Sequence, residues 1–218
     1  MPDIVDLSHP IAHGTITYPG LPGPVISDHL SREASRERYA PGFEFQIGRI
    51  DMVANTGTYL DTPFHRFADG HDLAGLDLAR VADVPGVAID ASGTQEIPAD
   101  LLDGLDLGGL AVLFLTGWDQ HWGADVYGDP SHPFLSEAAA ERLVDAGAAL
   151  VGIDSVNIDS TRSGERPIHT ALLAAGTPIV EHLCHLERLI GTDFRFFAVP
   201  PAVEGMGTFP VRALAVVS

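Results

Sequence analysis

Apolar residues in this chain come in short runs broken by proline, glycine and aspartate, and the two halves are patterned differently. Across residues 43–52, Phe43, Phe45 and Ile47 alternate with other side chains, the period-two signature of a half-buried strand. Short strands are also expected at 4–7 and 86–90, with a proline- and glycine-rich loop over 10–24. Residues 31–38 carry charges of alternating sign and read as a solvated face. In the second half, 110–115 and 150–154 are unbroken apolar runs, as expected of strands buried on both faces. Ser136 is placed to cap a helix ending at Ala146, with Gly147 as its stop. Pro167 opens a second helix over 168–175, and further strands follow at 178–181, 194–199 and 211–217. Strand and helix alternate with short turns, so the expected class is α/β. The first half looks richer in antiparallel strands, so one domain over residues 1–218 should hold a mixed sheet with flanking helices.

Composition narrows the chemistry. The 218 residues include 12 basic and 30 acidic side chains, and all 12 basic ones are arginine. Without lysine no Schiff base can form and no Walker loop can be completed. A net charge of −18 argues against nucleic acid and against anionic membranes as partners. No apolar run approaches the roughly 18 residues of a membrane span. The single cysteine, Cys184, cannot close an internal disulfide, and no signal peptide is evident, so a cytoplasmic location is expected.

The densest polar cluster is Asn55-Thr56-Gly57-Thr58-Tyr59-Leu60-Asp61-Thr62-Pro63-Phe64-His65. Asp61 and His65 are metal-competent, and His65 is equally suited to general-base work. Alone, the spacing also fits an aspartate that caps a turn and a histidine on a loop. His169 falls at the start of the second helix, and Glu181 ends the apolar run 178–180. A carboxylate in line with a buried strand is costly unless paired, hydrogen-bonded or metal-bound. Asp154 shares that logic, either as a site group or as an acceptor for loop amides. Trp118, His121, Trp122 and Tyr127 form an aromatic loop that suits a pocket lining or ordinary packing. His182 and His185 flank Cys184, but an amphipathic helix carrying Leu183, Leu186 and Leu189 explains that stretch more simply than zinc.

Taken together, these residues resemble the cyclase family of metal-dependent hydrolases, which includes bacterial kynurenine formamidase and isatin hydrolase. Asp6-Leu7-Ser8-His9-Pro10-Ile11 and Tyr18-Pro19-Gly20 are similar to the family's opening. Residues 55–65 align without a gap with its motif H-x-G-T-H-x-D-x-P-x-H, and His169 and Glu181 match its later metal-binding pair. Two positions depart: Asn55 and Tyr59 stand where the motif has histidine. The resemblance implies a cyclase-like fold of the swivelling β/β/α type and a homodimer or homotetramer. It also implies one surviving metal site, Asp61, His169 and Glu181, and one dismantled site. One divalent ion per chain, zinc or manganese, matches the −2 charge of the surviving set.

The activity implied is hydrolysis of a C–N or C–O bond in a small amide, lactam or lactone. His65 would act as general acid and base, with Tyr59 or Asn55 steadying the oxyanion. Tyr18, Phe64, Trp118 and Trp122 are the expected lining of a pocket for a planar small molecule. The same residues would serve a metal-dependent cyclase or lyase acting on a polyketide-like carbonyl compound. Loss of two ligands also leaves room for a catalytically silent binding protein.

Overall fold

The computed structural model describes residues 3–217. Thirteen strands form in chain order. They are β1 Asp3–Asp6, β2 Val25–Leu30, β3 Ile47–Asp51, β4 Tyr59–Asp61, β5 Val84–Asp90 and β6 Glu96–Ile97. The rest are β7 Ala111–Leu115, β8 Phe134–Leu135, β9 Leu150–Ile153, β10 Ile179–Glu181, β11 Phe194–Phe197, β12 Thr208–Pro210 and β13 Leu214–Val217. The helices are α1 Arg32–Ser35, α2 Glu137–Ala146 and α3 Pro167–Ala174. No helix among the described residues is long and apolar enough to cross a membrane.

Nine strands make one sheet in the order β1-β13-β11-β5-β7-β9-β10-β4-β12. The centre, β5-β7-β9-β10, is parallel, and the strands on both flanks pair antiparallel. The sheet is mixed, as the alternating pattern predicts. Its unbroken apolar strands lie in the middle because only there are both faces covered. In β7, Val112 and Phe114 pack with Leu143 of α2 and Leu172 of α3, while Leu113 and Leu115 enter the opposite cluster with Leu7, Leu60 and Leu183. Fully burying a leucine or phenylalanine is worth about 1.5–3 kcal/mol, so the run 111–115 could not sit at an edge without large loss.

Helix signals read from the sequence land accurately. The Ser136 hydroxyl accepts from Ala139 N at 3.2 Å, and Gly147 closes α2 in the left-handed conformation. Two expectations need correction. The alternating stretch near Phe43 is not half-buried: β3 pairs only with β2, and Phe43, Phe45 and Ile47 are 60%, 51% and 48% exposed. Period two tells which side chains share a face, not whether that face is covered. The segment carrying Leu183, Leu186 and Leu189 is a single 3-10 turn, Leu186–Leu189, yet all three leucines are buried. The short strands β4 and β12 carried no alternation long enough to read.

Candidate metal centre and its cavity

Strand β4 lies between β10 and β12, and its register places the first functional groups. Tyr59 faces Glu181 of β10, and Asp61 faces Thr208 of β12. Residues two apart share a face, so Tyr59 and Asp61 point together while Leu60 turns into the core. The 3-10 turn Pro63–His65 follows at once and delivers His65 to the same side. His169 enters from the first turn of α3.

Two glycines allow this convergence. Gly57 has φ +67° and lies against Ile11, so a side chain there is strained in both conformation and space. A Cβ on Gly207 would fall 2.1 Å from the backbone nitrogen of His65. Gly207 also accepts from Thr62 N at 2.7 Å, which pins the turn that holds His65.

Asp61, His65 and His169 each offer a ligand atom within 4.8 Å of the others. His169 Nε2 lies 3.7 Å from Asp61 Oδ2 and 3.6 Å from Glu181 Oε1. Its other nitrogen, Nδ1, donates to Asp159 Oδ2 at 2.6 Å. That bond commits Nδ1 as a donor and turns Nε2, the nitrogen a metal would take, toward Asp61 and Glu181. Glu181 is oriented by Tyr59, whose hydroxyl donates to Oε2 at 2.6 Å, and by Ile158 N, which donates to Oε1 at 2.6 Å. The Thr208 hydroxyl donates to Asp61 Oδ1 and accepts from His65 Nδ1 at 2.7 Å. With Nδ1 engaged by Thr208, His65 Nε2 makes no hydrogen bond among the described residues.

Charge in this centre is unbalanced. Burial lowers the proton affinity of His169, but Glu181, Asp159 and Asp61 outweigh it and raise its pKa to about 10. Burial pushes Glu181 up to about 7 against the opposing pull of His169. Burial also works against ionised Asp61, yet His169, His65 and Thr208 hold it below the usual carboxylate range. Burial and the neighbouring carboxylates lift the Tyr59 phenol well above its ordinary value, so it stays a donor. Asp61 Oδ2 is fully buried and has no hydrogen-bond partner among the described residues. An orphaned carboxylate oxygen is costly, and a divalent cation among these oxygen and nitrogen donors would satisfy it. The residues present therefore fit a divalent metal.

The centre opens into a cavity of about 400 Å³ lined by Tyr18, Asn55, Tyr59, His65, Arg66, Asn157, Arg166, His169 and Glu181, among others. That size suits a small organic molecule. Of the expected pocket residues, Tyr18 lines this cavity, and Phe64, Trp118 and Trp122 lie outside its lining. Trp122 stacks on His9 at 4.1 Å, and Trp118 Nε1 donates to Tyr127 O at 2.9 Å. Asp154 accepts from Thr116 N and Gly117 N, each at 2.8 Å, as a structural acceptor. His182 turns to the Tyr127 hydroxyl and His185 to Asp6 O, so the two imidazoles flanking Cys184 serve different partners.

The family model named Cyclase matches residues 5–160, more than half of the chain. The chain belongs to the cyclase family. Kynurenine formamidase of Bacillus cytotoxicus is 30% identical over 216 residues, covering 96% of this chain and 95% of that protein. A structure described as a predicted metal-dependent hydrolase from Bacillus stearothermophilus shares 27% identity at a TM-score of 0.78, covering 99% of this chain and 98% of that one. Isatin hydrolase A from Ralstonia solanacearum shares 23% identity and the fold, with a TM-score of 0.84 over 100% of this chain and 92% of that one. Within the cyclase family this chain is a metal-dependent hydrolase.

Thr208, Asp159 and Asn157 escaped the sequence reading. Asp159 had a faint signal, as an acidic residue shortly before the helix opened by Pro167. Thr208 had none: it lies 147 residues from the aspartate it touches.

Proposed function

We propose that this hydrolase cleaves a C–N or C–O bond in a small amide, lactam or lactone, with Asp61, His169 and Glu181 holding one divalent metal ion, zinc or manganese. The observation that carries this reading is the buried Asp61 Oδ2, without a hydrogen bond beside His169 Nε2, where His169 and Glu181 line a substrate-sized cavity. A divalent cation held there supplies Lewis-acid polarisation of a carbonyl and a lowered pKa for water.

The chain's own groups do the rest. His65, oriented through Thr208, takes a proton at Nε2 and returns it to the departing nitrogen or oxygen. Asn55 lines the cavity as a neutral donor suited to a developing oxyanion. The Tyr59 hydrogen is already committed to Glu181, so its part is to fix that carboxylate. Asn55 and Tyr59 carry no charge to offset a second dication, which supports a single ion per chain.

The exposed apolar side chains of β2 and β3, Val25, Ile26, Ile47 and Ile50, support a homodimer or homotetramer that covers them. Buried Cys184, without a disulfide, supports a cytoplasmic location.

The test is metal analysis of purified protein followed by assays on formanilide and isatin. About one ion per chain and turnover lost in His65→Ala are expected. A metal-loaded protein that hydrolyses none of formanilide, isatin and the charged N-formylanthranilate, or a His65→Ala variant with full activity, would overturn the assignment.

A further inference from the structure

We propose that Arg66 and Arg166 form a carboxylate-binding site, so that the substrate is a small organic anion. The proposal rests on the hydrolase reading above and adds the substrate's charge.

The protein carries 30 acidic and only 12 basic side chains, so its overall field repels anions. Cationic groups facing a cavity are therefore scarce, and those present are informative. Arg36, Arg142, Arg188, Arg195 and Arg212 are engaged in ion pairs with carboxylates. Arg66 and Arg166 have no carboxylate partner among the described residues, and both line the cavity over the metal centre.

Each guanidinium is held by one side and free on the other. Arg166 is half-buried, and its Nη1 donates to Ser160 O, Ser163 O and Glu165 O at 3.2, 2.8 and 2.7 Å. Its Nε and Nη2 make no hydrogen bond among the described residues. Arg66 donates from Nε to Thr170 Oγ1 at 3.3 Å and rests over the Phe67 ring at 5.3 Å, leaving both terminal nitrogens free. Thr170 joins the two: it accepts from Arg66 and donates from its hydroxyl to Arg166 O at 2.7 Å.

Two anchored guanidiniums with free N–H edges match the planar fork of a carboxylate. Neutral substrates would gain nothing from them. The acidic metal-binding floor and the two arginines give the cavity opposite polarities, which sets the direction in which an anionic substrate enters.

The test compares N-formylanthranilate, which carries a carboxylate, with formanilide, its uncharged parent. The full-length metal-loaded protein should favour the anion by at least about tenfold in kcat/KM at low salt. Arg66→Gln and Arg166→Gln should each raise KM for the anion and cut that preference several-fold, and the double variant should remove it. Lysine replacements should restore part of it. Arg142→Gln, which deletes the same charge on the exposed surface, should keep the preference. Equal efficiency on both compounds, or a preference untouched in the double variant, would sink the anion site and leave the hydrolase standing. If neither compound is hydrolysed, calorimetric titration with benzoate decides. Binding lost in the double variant supports the anion site while refuting the hydrolase assignment, and no binding refutes the anion site.

Discussion

Asp159 grips His169 by both its backbone and its ring. Its Oδ2 accepts from His169 N at 3.0 Å and from Nδ1 at 2.6 Å, and its Oδ1 accepts from Ile168 N at 2.7 Å. One carboxylate thus caps α3 and sets the tautomer of a candidate metal ligand. Asp159→Asn should weaken metal binding by about 10–100-fold and leave stability nearly unchanged, because asparagine caps a helix about as well as aspartate. Metal titration and thermal melts of the variant would check both effects. Unchanged metal affinity would mean that the tautomer is set elsewhere.

Thr208 should be a positioning residue. Thr208→Val keeps the shape and removes the hydroxyl between Asp61 and His65. Turnover should fall by about 10–100-fold, within the range for an impaired general base, while KM and metal content stay close to the parent's. The pH profile of kcat should shift as well. A variant that instead lost its metal would place Thr208 among the groups that build the binding site.

Gly207→Ala should be far costlier than an ordinary surface change, because the new methyl meets the His65 backbone. Overpacking of this kind typically costs about 1–3 kcal/mol. Denaturant melts would register the loss, and activity should fall with it because His65 must move. Wild-type stability and activity together would show that the turn yields freely.

Acid should destabilise the fold through one buried and one half-buried imidazole. Burial lowers His182 to about 3 and His9 to about 4, from an ordinary 6.5. The unfolded chain therefore binds protons below 6.5 that the folded chain refuses until pH 3–4. Their stabilising contribution is complete above 6.5 and is lost as pH falls towards those lower values. His182→Asn removes one such group and suits the positive φ of 58° at that position. The drop in Tm between pH 7.5 and pH 5 should shrink in this variant. An equal drop would mean that other groups govern acid sensitivity.

Metal removal should be cooperative with protonation. His169 holds a proton up to about 10 where the carboxylates alone surround it, so protons and metal compete for that nitrogen. Chelation should lower Tm, and the affinity for zinc should fall as pH is lowered from 8 to 6. A pH-independent affinity would count against His169 as a ligand.

What the sequence revealed depended on the range of each signal. Ser136, Gly147 and Pro167 act on their immediate neighbours, so the limits of α2 and the start of α3 were legible from the chain. Asp61, His169 and Glu181 stood out because their residue types are expensive to bury without purpose, and the exposed His65 because it closes the polar run that holds Asp61. Burial of the β3 face was not legible, since it depends on which strand lies beside it. Nor was Thr208, an ordinary strand residue until β12 lies against β4. The tyrosine at 59 was readable as a departure from a metal-binding motif. Its engagement with Glu181 became visible only in the pairing of β4 with β10.

The pairing of β4 with β12 also orders events in time. During synthesis, a chain that has emerged only as far as residue 200 already carries all four metal-competent side chains, but not the strand that braces Asp61. Nor can β1 find its neighbour β13 until residue 217 has been made. Contacts spanning such separations form slowly. The nascent hydrolase should therefore stay unable to work, with its sheet edges open, until β12 and β13 arrive.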